Sequence, residues 1–384
     1  MRKAPQHVLV IGGGIIGLSI AYRLATRGAH VTLVDRGIPG HECTWAAGGM
    51  LAPTCEGEVA DRALVALGYD SLHRYHAWVS ELESLTGLDC CLGSGETLLV
   101  ATDHDERGQT EHMARLITNK GGHVERLHLD DARAMAPLLT PRLTLAYRVQ
   151  GDRWIEPRAL CQALVEALHR MNVDVRENHE ATCQDFVMAD AVVLACGAWH
   201  DLLKHSPSDS PFTLAGEVDT PTFVRAGCGR VGGGANGHFS LGIRPIRGQT
   251  VHLTGASLLN HVVRTPRVYL VPRRDGVVIG ATSEEQGFDR TSPAGGVYEL
   301  LRYGIQTVPA LYELHFSEVA VGFRSATKDH MPVLDKVPQS SIYVATGHYR
   351  DGILLAPASA DHMAEMIMTG EKPDAIEPFS WRAQ

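Results

Sequence analysis

The chain has 384 residues, 44% hydrophobic and 21% charged, with 39 glycines, 19 prolines and only 6% aromatic residues. That composition excludes a disordered, collagenous or disulfide-stapled chain, and at this length two domains are expected, because a single core has usually stopped growing. The formal net charge of −9 repels nucleic acid and anionic membranes on average, and no basic run offsets it.

The first predicted element is a short, continuously apolar strand, Val8-Leu9-Val10-Ile11, of the kind buried in a parallel sheet. Gly12-Gly13-Gly14-Ile15-Ile16-Gly17 follows at once, and from Leu18 the period becomes helical, with Ile20, Ala21, Leu24 and Ala25 on one face and Gly28 as the stop signal. Val31-Thr32-Leu33-Val34 is a second strand, ending at Asp35. This order predicts a dinucleotide-binding strand–turn–helix–strand unit. In such a unit Gly12 makes the tight turn, Gly14 admits a pyrophosphate and Gly17 lets helix and strand pack closely. The helix end offers N–H groups to phosphate, and Asp35, 18 residues beyond Gly17, can accept from the adenosine ribose. The motif alone does not separate FAD from NAD.

Next comes Cys43-Thr44-Trp45-Ala46-Ala47-Gly48-Gly49-Met50-Leu51-Ala52-Pro53, whose small side chains would let a flat ring system lie against the backbone. A helix is predicted over 59–86, mixed structure over 87–150 with a strand at 96–101, and a proline-initiated helix from Pro157 to His169. Ala191 to Leu194 reads as a buried strand running into the Cys196-Gly197 turn, a second place for close backbone approach. Residues 204–242, rich in Ser, Pro and Gly, read as a long irregular insertion. Further strands are predicted at Gln249–Leu253, Val268–Pro272, Gly276–Ala281 and Ile342–Ala345, and a last helix from Gly352.

Eight cysteines, at 43, 55, 90, 91, 161, 183, 196 and 228, form no Cys-x-x-Cys pair, and the 20 histidines show no metal-ligand spacing, so reduced thiols and no metal are expected. No stretch approaches the roughly 18 apolar residues of a membrane span, and no signal-peptide pattern opens the chain. A cytoplasmic protein is expected.

Three segments carry a resemblance: residues 44–53, then Tyr269-Leu270-Val271-Pro272-Arg273-Arg274-Asp275-Gly276 leading to Gly280-Ala281-Thr282, and Gly347-His348-Tyr349-Arg350-Asp351-Gly352-Ile353-Leu354-Leu355-Ala356-Pro357. With Gly322-Phe323-Arg324 before the last, the sequence resembles the FAD-dependent D-amino-acid oxidase superfamily over nearly its whole length, in its branch of glycine oxidases of thiamine biosynthesis.

The resemblance implies an α/β fold: a Rossmann-type FAD-binding domain, discontinuous over 1–84, 145–205 and 318–384, and an antiparallel-sheet α+β substrate domain over 85–144 and 206–317. It implies non-covalent FAD, since no cysteine follows Cys228 to serve as a late covalent anchor. The implied FAD contacts are Gly12, Gly14, Ile15, Ile16, Gly17, Asp35, Arg36, Cys43, Thr44, Gly48, Gly49 and Met50, with Ala181 at the adenine end and His348, Tyr349, Arg350, Asp351, Gly352, Ile353 and Leu354 around a helix that points at the flavin. Arg324 would hold a substrate carboxylate, with Tyr269 bonded to it. Arg350 would touch flavin, substrate or only backbone carbonyls, and a plain core role is the alternative for Tyr269.

The implied chemistry is hydride transfer from the α-carbon of a neutral amine to flavin N5. It yields a 2-oxo acid (glyoxylate from glycine), ammonia and, through oxygen, hydrogen peroxide, with no side-chain base for the α-proton. The implied partners are a small amino acid or amine and molecular oxygen, in a homo-oligomer. Three departures from the family pattern bear on substrate preference: Ser325 where a proline usually follows the arginine, Ser283 where some relatives have methionine, and almost no hairpin between Thr182 and Ala189. The rival readings are a D-amino-acid dehydrogenase that passes electrons to a quinone, a sarcosine-oxidase-like enzyme and an RNA-modifying flavoenzyme.

Overall fold

The computed structural model describes residues 4–54, 61–204 and 241–381. The insertion expected over 204–242 lies outside them except at its ends, as do Cys55 and Cys228.

The apolar run His7–Ile11 is the centre of a six-stranded sheet in the order Val333–Lys336, Ile342–Thr346, Ala191–Leu194, His7–Ile11, His30–Val34 and Asp174–Arg176. All neighbours are parallel except the Val333–Lys336 edge. Such strands are covered on both faces, which is why they read as unbroken apolar runs. One face is covered by the helices Ile15–Thr26, Arg62–Thr86, Pro157–Arg170 and Gly352–Thr369, whose apolar stripes share one core. The longest of these starts where the Asp61 side chain accepts from Ala63 N–H at 2.7 Å, one of the donors a helix start leaves without a partner. It buries Tyr75 and Trp78 completely, their rings edge to face at 5.7 Å.

The second sheet has eight strands in the order His315–Ala326, Arg244–Thr254, Gly276–Gly280, Tyr269–Arg273, Val262–Arg264, Thr97–Ala101, Leu145–Gln150 and His123–Arg126. It is antiparallel apart from the parallel pair Val262–Arg264 with Thr97–Ala101, and a separate core lies on it. The strand expected at Gln249–Leu253 runs instead from Arg244 to Thr254. It continues through Arg247 because that buried guanidinium is neutralised, by Glu284 and by Asp289 at 2.9 Å.

The stretch 87–150 resolves into the helices His104–Asn119 and Leu129–Met135 and three strands of the second sheet. Where a hairpin is nearly missing, Cys183–Val187 is a short helix opened by a capping box between Thr182 and Asp185. We propose a two-domain division along the two sheets. Because Leu145–Gln150 pairs with Thr97–Ala101, and His315–Ala326 with Arg244–Thr254, the boundaries expected at 145 and 318 then move beyond 150 and 326.

Candidate active site

A cavity of about 590 Å³ opens at the carboxyl ends of four parallel strands, where Gly12, Asp35, Cys196 and Thr346 face the second sheet. This is the crevice in which open α/β sheets take up ligands, and its size lies within the ~300–1,000 Å³ usual for cofactor pockets. Every candidate site residue except Gly17 lines it. Gly17 sits behind the turn, where a Cβ would collide with Gly12 O and meet the Ala195 side chain at 3.3 Å.

Gly12 has φ +105°, a conformation costly for any side chain, and its Cα faces the Ala195 carbonyl. Gly14 is open, with Thr44 Oγ1 at 3.9 Å the nearest atom to an added Cβ. Thr44 Oγ1 accepts from Ile15 N–H at 3.1 Å and so joins the 43–50 loop to the helix start. Asp35 accepts from Gly13 N–H at 2.6 Å and Gly37 N–H at 2.7 Å. Its carboxylate therefore staples the glycine turn to the end of the second strand and keeps acceptor capacity on each oxygen for a ribose.

The 43–50 loop is tied down from behind. Arg158 Nε donates to Trp45 O at 3.1 Å, Thr250 to Ala46 O at 3.1 Å, Arg273 to Gly48 O at 2.9 Å and Ile155 N–H to Gly49 O at 2.9 Å. Trp45 is outside the cavity, stacked on His41 at 4.3 Å under the Arg158 guanidinium at 4.0 Å. Burial lowers Arg273 to about 10, still fully charged at neutral pH. Burial pushes the cavity thiol of Cys196 up to about 12, helped by Asp35, and raises that of Cys43, so neither is a thiolate.

At the other sheet, Arg324 lies inside the strand His315–Ala326, opposite Ile246. The strand persists because Ser325 pairs with Pro245, and Ser325 O accepts from Tyr349 N–H at 3.0 Å. The Arg324 guanidinium lies over Gly248, where an added Cβ would stand 2.5–2.6 Å from it, and donates to Thr282 O at 3.1 Å. Among the described residues no carboxylate pairs with it. Tyr269 crosses the two glycines Gly280 and Gly48, leaving no room for a side chain on either. Arg350 is exposed, its guanidinium 5.1 Å from the Tyr349 ring. Ser283 lines the wall beside Thr282.

Between the sheets, His348 is buried and its Nε2 lies 3.1 Å from Ser359 Oγ. Burial lowers it to about 3, so the imidazole is neutral. The turn closes with Asp351 N–H on His348 O at 2.9 Å, and the first residues of the helix that follows, Gly352, Ile353 and Leu354, face the cavity.

Sequence reasoning missed an aromatic wall. Trp199 stacks on Phe288 at 5.4 Å and meets Phe323 edge-on at 5.9 Å, with Arg36 4.7 Å from the Trp199 ring. The glycine turn before Trp199 was a signal for the backbone only. Nothing in the sequence joins Trp199 to Phe323, 124 residues later. Gly248 was missed too, because its partner, Arg324, lies on the neighbouring strand, 76 residues later in the chain.

The residues present fit an adenine–flavin dinucleotide: a bare-backbone cradle, a ribose-competent carboxylate, a small-residue loop and a helix start facing one cavity. The DAO family, described as FAD dependent oxidoreductase, matches residues 7–366. The bifunctional protein ThiO/ThiG of Trichormus variabilis is 31% identical over 384 aligned positions, covering 98% of this chain and 55% of that protein, so the chain spans about half of that relative's length. Glycine oxidase of Pseudomonas aeruginosa is 29% identical, with 97% of each chain covered. The crystal structure of glycine oxidase from Geobacillus kaustophilus superposes with a TM-score of 0.82 at 27% identity, covering 100% of both chains. No helix among the described residues is long and apolar enough to cross a membrane. Cradle, fold and family match agree: the chain belongs to the DAO family of FAD-dependent oxidoreductases.

Proposed function

We propose that this enzyme oxidatively deaminates glycine and other small amines or D-amino acids, converting glycine, oxygen and water to glyoxylate, ammonia and hydrogen peroxide. In this reading it supplies the thiazole branch of thiamine biosynthesis, a role that draws on its similarity to the ThiO/ThiG proteins. The observation that carries the substrate class is Arg324, a guanidinium on the cavity wall with one donor on a backbone carbonyl and no carboxylate partner among the described residues. Such a fork is suited to bidentate capture of a planar carboxylate.

FAD, bound without a covalent link, supplies the two-electron acceptor at N5 and reacts with oxygen. The chain's residues orient and polarise. Arg324 and the Tyr269 hydroxyl hold the substrate carboxylate, which fixes the α-carbon against the ring. The N–H groups at the start of Gly352–Thr369 line the cavity and would meet bound FAD there, where a helix start stabilises negative charge. Three cavity groups are unsuited to taking an α-proton: burial lowers His348 to about 3, which makes it a weak base, with its Nε2 beside Ser359, and the thiols of Cys43 and Cys196 are protonated. That supports transfer of the α-hydrogen as hydride from an amine that enters neutral.

The test is the absorption spectrum of the purified protein under argon, with glycine, then D-alanine, then sarcosine, followed by air and a peroxide assay. Bleaching of the flavin band with recovery and peroxide in air is the expected result. A flavin band that none of the three bleaches would overturn the substrate class, and bleaching without peroxide would replace oxygen by another acceptor.

A further inference from the structure

The helix Gly352–Thr369 contains Pro357 in its second turn. Proline has no N–H, so the carbonyl four residues before it, Ile353 O, loses its helical donor. That carbonyl is nonetheless paired: the hydroxyl of Tyr75, whose side chain is fully buried, donates to it from the neighbouring helix Arg62–Thr86. The next rung is served as well. Ser71, also fully buried, donates to Leu354 O at 2.6 Å and accepts from Ala358 N–H at 3.2 Å.

Ser71 and Tyr75 are four residues apart and share a helix face. Gly68 on the same face brings the helices together, since a Cβ there would meet Pro53 at 3.1 Å and Leu354 Cδ2 at 3.5 Å. A buried hydroxyl costs free energy unless it is hydrogen-bonded, and filling this space would need only phenylalanine and alanine. Both hydroxyls are instead spent on peptide units at the cavity end of the helix. The Ile353 carbonyl shares its peptide with Leu354 N–H, one of the groups a helix start leaves without an internal acceptor. A donor on that carbonyl polarises the peptide and strengthens the N–H on its far side.

We propose that Tyr75 and Ser71 are positioning residues for the flavin: Tyr75 supplies the donor that Pro357 removes, Ser71 bridges the next rung between Ala358 N–H and Leu354 O, and together they hold and polarise the peptide units that would face the cofactor. This rests on the reading that the Gly352 end of the helix meets the flavin. The structure offers its own rescue, because Pro357→Ala returns an N–H to Ile353 O and makes the Tyr75 hydroxyl dispensable.

The experiment compares wild type, Tyr75→Phe, Pro357→Ala and the double variant by two readouts: amide exchange at residues 353–355 in the apoprotein, and the midpoint potential of the FAD-loaded protein. Tyr75→Phe is expected to speed exchange about tenfold and to cost about tenfold in preference for reduced over oxidised FAD, some 30 mV for a two-electron couple. Pro357→Ala alone is expected to move neither by more than about twofold, and the double variant to return to within about twofold of wild type. Unmoved exchange in Tyr75→Phe would overturn the clamp. Faster exchange with an unmoved potential would overturn the flavin role by failing the reading beneath it. A double variant as impaired as Tyr75→Phe would overturn the pairing of Tyr75 with Pro357.

Discussion

The cavity wall contributed by the six-stranded sheet is mostly backbone: the Gly12 turn, the Ala195–Gly197 turn and the helix starts at Ile15 and Gly352. The wall contributed by the eight-stranded sheet is made of side chains, Arg324 and Tyr269, each lying over glycines of adjacent strands or of the 43–50 loop. A backbone wall suits a cofactor every member of a family shares, because peptide groups offer the same donors whatever the sequence around them. A side-chain wall over glycine gaps suits the substrate, since one residue changes charge, reach or room without disturbing the sheet.

If the two walls differ in this way, damage to them should separate. The largest effect is expected from Gly12→Ala, which puts a Cβ against the Ala195 carbonyl at φ +105°. Strain and overlap should cost about 3 kcal/mol or more and weaken FAD by about 100-fold. The absorbance ratio of flavin to protein after purification reports it, and full FAD content would break the comparison from the cofactor side. Arg324→Ala should instead leave FAD bound and raise the KM for glycine by roughly 10- to 100-fold, corresponding to about 1.5–3 kcal/mol for a charged hydrogen-bonded pair. An unchanged KM would remove Arg324 from the site.

Gly248→Ala sharpens the contrast, because the atoms nearest its Cβ belong to the movable end of Arg324. The guanidinium should shift while the strand persists, so KM rises by about tenfold with little change in melting temperature. The smallest effect concerns pH. His348 at the backbone wall and His252 behind the side-chain wall are both lowered to about 3 by burial, His252 also by Arg158 and Arg273. The unfolded chain takes up protons near pH 6.5 that the native one refuses. Stability is therefore full above that pH and declines as pH falls from 6.5 towards 3, by about 1.4 kcal/mol per pH unit for each histidine. Apoprotein melts of His348→Gln and His252→Gln at pH 7 and pH 5 should each lose part of that slope.

The backbone wall was legible in the sequence because its parts are local. Strand, Gly12-Gly13-Gly14, helix and Asp35 fall within 29 residues, and each is required by geometry that repeats wherever a backbone meets a pyrophosphate. Even so, sequence assigned Asp35 one task, and the structure shows a second, holding Gly13 and Gly37 in place. The last helix was equally visible from Gly352, but Pro357 within it reads as an anomaly until Tyr75, 282 residues earlier, is seen to supply the missing donor.

Length, composition and periodicity by themselves determined a globular chain and the strand–turn–helix that opens it, because burial and backbone geometry act over a few residues at a time. The motifs in 44–53, 269–282 and 347–357 marked the family and so the cofactor. Only the tertiary structure decided what stands across from what: Gly248 beneath Arg324, Gly48 and Gly280 beneath Tyr269, Trp199 against Phe323, Tyr75 on Ile353. Those pairs are set by strand register and helix packing, which join residues from tens to hundreds of positions apart and leave no spacing for a sequence to display.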